Sequence, residues 1–313
     1  MSLLPAKYSL DNLRWALSNP RMFLGELQHL GNRVNERVHR RRYADAGADV
    51  MAEDWDNLFI LDACRYDIYE DNTTIDGTLE TRVAGGSESW EFMQANFLDG
   101  LHHDTVYVTA NPHAYKLPDD TFHYTRNLLD DEWDPDLQTV TPETMREAAL
   151  DAAERFPDKR LIVHFMQPHF PFIGPKGQKL DSGGIVHHRE DAGEDMLLWG
   201  KLRYGLTEIE PIWEAYVENL DIVLPHVKHL LDELDGKSVV TSDHGNLFGE
   251  RLRPIPTRAY GHPPGIYAKE LREVPWHVVP GARREITSEP PVGSEDLASD
   301  VAQQRLRELG YVE

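Results

Sequence analysis

The chain has a single cysteine, Cys64, among its 313 residues. One thiol closes no intrachain disulfide and builds no cysteine cluster for zinc, so disulfide-stapled and zinc-ribbon proteins are excluded. Long apolar runs are missing as well. No stretch reaches the length of a bilayer-spanning helix, and the amino terminus lacks the uninterrupted apolar core of a signal peptide. These absences make the cytoplasm the expected location. Positive charge is scarce, with 32 Lys plus Arg against 54 Asp plus Glu and a formal net charge of −22. A surface of that sign repels nucleic acid, which is not expected as a partner. It also matches proteins kept soluble in high salt, as in halophiles. Internal repeats and low-complexity segments are absent too.

What the chain does have is enough apolar material, 40% of its residues, to bury a large core. One domain with an appendage is the expected organisation. The appendage is residues 1–45, ahead of a domain over residues 46–313. Met1 to Tyr43 carries eight Lys or Arg against three Asp or Glu, a balance of +5. Leu13, Trp15 and Ala16, then Met22, Phe23, Leu24, Leu27, Leu30 and Val34, recur at helical spacing, with Asn19-Pro20 dividing two helices. Such a basic amphipathic pair has two natural placements. Its apolar face packs on the main domain with its arginines paired to the acidic surface, or it lies on an anionic membrane surface.

Beyond it, apolar runs alternate with helical patterns, as in a doubly wound α/β domain. Asn57 to Ala63 (NLFILDA) reads as a central strand covered on both faces, with Asp62 at its end. Val106 to Ala110 is a second strand, running into Asn111-Pro112-His113, and Leu161 to Met166 a third, running into Gln167-Pro168-His169-Phe170-Pro171. Ser238 to Gly245 (SVVTSDHG) is a short strand ending in Asp243-His244. Helices are expected from Gly85 to Phe97 with Ser87 or Ser89 at its amino end, from Thr141 to Phe156, and from Glu208 to Leu234 with Pro225 interrupting it. Pro175 to Gly205 reads as an excursion or lid, and Arg251 to Pro264 as a proline-rich loop containing Gly261-His262. Tyr267 to Leu271 and Val274 to Val279 read as a short helix and a strand, and Leu297 to Leu309 as a terminal helix.

Several strands therefore end in chemistry at one carboxyl edge, where open α/β sheets hold ligands. Asp62, Asp243 and His244 offer two hard oxygens and an imidazole nitrogen, a set suited to one divalent metal. A serine hydroxyl completing that shell would be driven toward alkoxide, whereas Ser87 or Ser89 alone would simply cap the helix. His169 and His262 are placed to hydrogen-bond a substrate oxyanion or protonate a leaving group. Arg65 is either an anion contact or a salt-bridge partner of Asp67.

The ordered motifs resemble a known family. Phe59-Ile60-Leu61-Asp62-Ala63-Cys64-Arg65, Gln167-Pro168-His169-Phe170-Pro171, the long helix with Tyr216 and Asp221, Thr241-Ser242-Asp243-His244-Gly245, Gly261-His262 and Tyr267-to-Pro275 are similar in order and spacing to sulfatase-like proteins of the alkaline phosphatase superfamily. The likeness covers roughly residues 57 to 280, and Arg305-to-Tyr311 resembles a common ending. It implies an α/β sandwich with a central, mostly parallel sheet and helices on both faces, and metal-assisted attack on a phosphate ester, less so a sulfate ester, through a covalent intermediate. It carries metal binding onto Asp62, Asp243 and His244, anion or leaving-group contacts onto His169 and His262, and an anion role onto Arg65. No Cys/Ser-x-Pro-Ser-Arg motif stands in the chain, so formylglycine chemistry is not expected, and Ala63 replaces a family aspartate. The nucleophile falls in Gly86-Ser87-Glu88-Ser89, with Ser89 ahead of Ser87.

The expected activity is thus a hydrolase or phospho-group transferase with a serine nucleophile, an anionic ester substrate and one divalent ion per chain, whether manganese, zinc, magnesium or calcium. The alternative is a catalytically impaired relative that binds at a membrane or in glycan assembly, touching the bilayer peripherally through residues 1–45.

Overall fold

A computed structural model describes residues 20–43, 47–180, 198–295 and 299–309. The amino-terminal helix expected around Leu13, much of the expected excursion after Pro175, and the ending around Tyr311 lie outside the described residues.

An eight-stranded sheet organises the molecule. Its strands are β1 (Asn57–Leu61), β2 (Thr78–Val83), β3 (His102–Thr109), β4 (Phe122–Asn127), β5 (Arg160–Phe165), β6 (Ser238–Thr241), β9 (Glu273–Val279) and β10 (Gly293–Glu295). They run in the order β10-β4-β3-β5-β1-β6-β9-β2. Every neighbouring pair from β10 to β6 is parallel, and β9 alone runs against both its neighbours. The order puts β1 between β5 and β6, in register with Leu161 to Phe165 on one side and Ser238 to Thr241 on the other.

The expected layers are present, and strand alternation shows why. Phe59, Leu61, Val108, Val163 and Val240 enter one buried cluster, while Leu58, Ile60, Tyr107, Ile162 and Val239 enter another on the opposite face. A strand covered on both sides has no polar face to offer, hence the unbroken apolar run of β1. The first face is covered by α2 (Tyr66–Asn72), α4 (Pro142–Arg155) and α7 (Ile209–Glu233); Ile68, Met145, Ala149, Tyr216 and Val223 are among the residues they bury there. The second is covered by α3 (Ser89–Phe97) through Phe92, Met93 and Phe97. Short helices α5 (Pro175–Lys179) and α6 (Leu198–Arg203) flank the gap in the described chain, and α8 (Lys269–Arg272) and α9 (Ser299–Glu308) complete the set.

Four local expectations are corrected. Pro225 does not interrupt α7, a single 25-residue helix with that proline inside it. A proline inside a helix costs about 3 kcal/mol. The helix buries eight apolar side chains and Asn219 along one stripe. At about 1.5–3 kcal/mol for each large apolar side chain, that burial outweighs the cost. Arg251 to Pro264 is not simply a loop, because β7 (Leu247–Arg251) and β8 (Arg258–Gly261) pair as an antiparallel hairpin over a small cluster of Leu247, Leu252, Ala259, Ile266 and Leu271. The cap of α3 is neither serine: the Glu88 carboxylate accepts from the backbone amides of Trp90 and Glu91. Finally, α1 (Pro20–Tyr43) packs on the domain by a polar face, not its apolar one.

Candidate metal centre and active site

Three neighbouring strands deliver the centre. β1 hands over to Asp62, β6 to Ser242, Asp243 and His244, and β5 to the loop that carries His169. Backbone bonds lock these exits together, with the Asp62 amide donating to the Phe165 carbonyl at 3.1 Å and the His169 amide to the Asp62 carbonyl at 3.1 Å. Tyr216 fastens the turn after β1 from above, its hydroxyl donating to the Ala63 carbonyl at 2.5 Å and accepting from the Arg65 amide at 3.2 Å. Ala63 there adopts φ +58°, a left-handed conformation that costs a non-glycine residue about 1–2 kcal/mol. Its amide donates to Asp243 Oδ1 at 3.1 Å, so the strained turn joins the two motifs directly.

Asp62, Asp243 and His244 are fully buried, and one ligand atom from each lies within 4.8 Å of the others. His244 Nε2 is 3.5 Å from Asp62 Oδ1 and 3.6 Å from Asp243 Oδ2. Its Nδ1 donates to the Gly245 carbonyl at 2.8 Å, which directs the Nε2 lone pair at the carboxylates. Asp243 Oδ2 is buried, and the imidazole nitrogens that approach it stay long, His164 Nε2 at 3.5 Å and His244 Nε2 at 3.6 Å. Acceptor atoms facing one another in a dry site call for a cation between them, and two carboxylates with a neutral imidazole are a donor set that fits a divalent metal.

Ser89 sits against this set. Its Oγ lies 3.3 Å from Asp62 Oδ2, to which it donates, and 3.3 Å from His244 Nε2. Because Glu88 serves as cap, Ser89 is the first residue of α3 and its hydroxyl is turned to the carboxylates instead of the helix amides. Ser87 points elsewhere, donating to Glu91 at 2.8 Å and approaching the Pro263 carbonyl at 3.2 Å.

His169 and His262 meet each other, Nε2 to Nε2, at 2.8 Å. His169 Nδ1 contacts the Phe170 carbonyl, so His169 Nε2 is the acceptor and His262 the donor of that pair. The His262 ring stands 4.7 Å from that of His244, centroid to centroid, which brings the pair to the centre. Burial, reinforced by neighbouring His244, depresses His169 to about 4, and burial with His244 and His169 holds His262 well below the usual histidine range. Burial by itself raises the Asp243 carboxyl, but the imidazoles of His244 and His164 and the Ser89 hydroxyl outweigh it and hold the group below the carboxylate range.

Arg65 is placed differently. Its guanidinium makes a two-pronged bond with Asp67 at 2.9 and 2.6 Å and pairs with Glu250 at 2.6 Å, the salt-bridge arrangement weighed for it above. An anion contact would have to displace these carboxylates. Cys64 is buried, and burial together with Asp67 pushes its thiol well above the ordinary range.

Sequence reasoning missed four members of the surroundings. Asn111 Nδ2 donates to Asp62 Oδ2 at 2.8 Å, and His164 Nε2 stands 3.5 Å from Asp243 Oδ2 with its Nδ1 on the Tyr107 hydroxyl at 2.9 Å. His164 was visible as a lone polar residue inside an apolar strand, and Asn111 as a strand-end amide. His113 stacks near Trp90, receives a bond from Lys116 Nζ at 2.6 Å, and is depressed to about 3 by burial and by that ammonium. Asn219 on α7 holds the His169 loop, its Nδ2 within 3.0–3.3 Å of the Pro168, His169 and Pro171 carbonyls.

The fold and these residues define an α/β chain with a buried carboxylate-histidine centre and an adjacent serine at the carboxyl edge of a parallel sheet. No family model and no curated protein matches the chain. Solved structures that resemble it include the soluble domain of lipooligosaccharide phosphoethanolamine transferase A from Neisseria meningitidis, at TM-score 0.45 and 11% identity over 81% of this chain and 86% of that one. The integral membrane form of that transferase gives 0.44 and 10% over 87% of this chain and 58% of its own. The zinc complex of the C-terminal periplasmic domain of EptC from Escherichia coli gives 0.42 and 13% over 76% and 77%. Likeness at this level assigns no role to individual residues.

Proposed function

We propose that the chain is a metal-dependent enzyme acting on phosphate esters, as hydrolase or transferase, through Ser89. The observation that carries this reading is the position of Ser89 Oγ, 3.3 Å from both Asp62 and His244 in a buried set of three metal-type donors. Asp62, Asp243 and His244 would hold the divalent ion. When bound there, it would supply Lewis acidity to an ester oxygen and favour the serine alkoxide.

The remaining work falls to the chain's own groups. Asp62 takes the hydroxyl hydrogen bond of Ser89 and fixes the direction of its Oγ, while Asn111 holds the same carboxylate oxygen from the other side. Attack by Oγ on phosphorus breaks the ester P–O bond, forms a phosphoserine and releases the substrate alcohol, which takes up a proton as it leaves. Water or an alcohol acceptor then displaces Oγ from phosphorus and regenerates the serine. His262 Nε2–H is held by His169 Nε2, and a non-bridging oxygen or the leaving group would take that acceptor's place on the His262 N–H. Burial of the site excludes bulk water and strengthens each of these contacts.

The test is hydrolysis of chromogenic phosphate monoesters, phosphate diesters and sulfate esters by metal-stripped protein, with single divalent ions restored in turn. Metal-restored turnover of a phosphate ester that Ser89→Ala abolishes, in a protein that still melts cooperatively, is the expected result. Full activity in Ser89→Ala removes Ser89 as nucleophile. Retention of the ion by Asp243→Asn after dialysis removes Asp243 as ligand.

A further inference from the structure

Helix α1 turns its polar side inward. Positions 25, 28, 31, 32, 35 and 39 face the domain: Gly25 and Gly31 come so close that an added Cβ would meet Tyr204 at 2.3 Å and Thr257 at 2.4 Å. Asn35 bonds the Ile255 carbonyl and amide at 2.8 Å each, and His39 bonds the Arg253 carbonyl at 2.7 Å and the Tyr267 amide at 2.9 Å. Arg40 adds an ion pair to Glu91 at 3.0 Å.

The opposite stripe runs through Leu27, Leu30, Val34, Arg37 and Arg41, again spaced by three and four, and is exposed throughout. Leu24, Leu27, Leu30 and Val34 keep 44–56% of their surface in solvent. Exposed large apolar residues otherwise include Ile255 and Leu206, on segments adjoining this helix. A groove of about 230 Å³ beside the stripe is lined by Leu24, Leu27, Arg251 and Arg258. Within a chain of net charge −22, Pro20–Tyr43 carries six arginines against Glu26 and Glu36.

We propose that this outer face is a docking surface for an anionic lipid bilayer, with α1 lying flat on the headgroups. Leucines alone would suit any apolar partner, but the arginines that continue the same stripe toward the helix carboxyl end select a negatively charged one. A second copy of the chain fits worse, since the stripe holds no carboxylate to pair with Arg37 and Arg41 in either helix orientation. Nucleic acid would leave the leucines in water.

The test uses full-length protein, flotation on phosphatidylglycerol vesicles against phosphatidylcholine vesicles, and the variants Leu27→Glu/Val34→Glu and Arg37→Glu/Arg41→Glu, whose exposed positions leave the melting temperature unchanged. The expected result is flotation on the anionic vesicles only, with about a tenfold or greater loss of bound protein in each variant. Wild-type protein that stays at the bottom of the gradient overturns the proposal, as does flotation that the variants retain or that neutral vesicles support equally. So does an oligomer that the leucine variant converts to monomer without any vesicle binding, because the face is then a subunit interface.

Discussion

Glu88 stands between two serines and takes the role that either of them is chemically better suited to. Its carboxylate caps α3 through two backbone amides, and burial raises its pKa against the pull of those amides. Truncating it to alanine removes both bonds, which should lower stability by about 1 kcal/mol in urea unfolding. Because Ser89 is the next residue, the same change should lower turnover more than Ser87→Ala does. Nothing in the letters Ser-Glu-Ser distinguishes this arrangement from a serine cap, since capping preference ranks serine above glutamate. The metal-type residues were readable for a different reason: Asp62 directly follows the apolar run of β1, and Asp243 and His244 come within three residues of the end of β6, so the strands fix where they emerge. Asn111 and His164 carry no such mark, as a buried amide or imidazole looks the same in a sequence whether it faces a core or a site.

At the scale of elements, α7 works as the clamp on the loop that carries His169. Asn219 is fully buried and reaches three loop carbonyls with its amide nitrogen, while its oxygen takes the Ile173 amide at 3.0 Å. Asn219→Ala strands buried polar groups on the loop, and the expected cost is about 2–3 kcal/mol in equilibrium unfolding. Asn219→Asp keeps the acceptor but loses the donors and should fall between. The strands differ in legibility for physical reasons. β1, β5 and β6 are covered on both faces and announce themselves as apolar runs. β2 is an edge strand whose residues are mostly exposed, and it reads as Thr-Leu-Glu-Thr-Arg-Val, a sequence equally suited to a loop. The β7-β8 hairpin hides behind its prolines.

For the whole molecule, the decisive quantity is charge. A net −22 spread over one body repels itself, and added salt should relieve that repulsion because the screening length shortens to about 8 Å at physiological ionic strength. The melting temperature is expected to rise with sodium chloride, most steeply at the low end, as followed by circular dichroism. A flat response would mean that local ion pairs already offset the excess. No described helix is long and apolar enough to cross a membrane.

The central position of β1 has a consequence for how the protein is born. Ala63 and Asp243, joined by a hydrogen bond, stand 180 positions apart. A ribosome releases Asp62 and Ser89 early and must then make most of the remaining chain before β6 arrives to lie beside β1. Contacts of such separation form late and slow the assembly of parallel sheets. The centre therefore stays incomplete until β6 and the residues after it have been made, and a chain halted before Ser238 would carry the serine and one carboxylate with nothing to complete them.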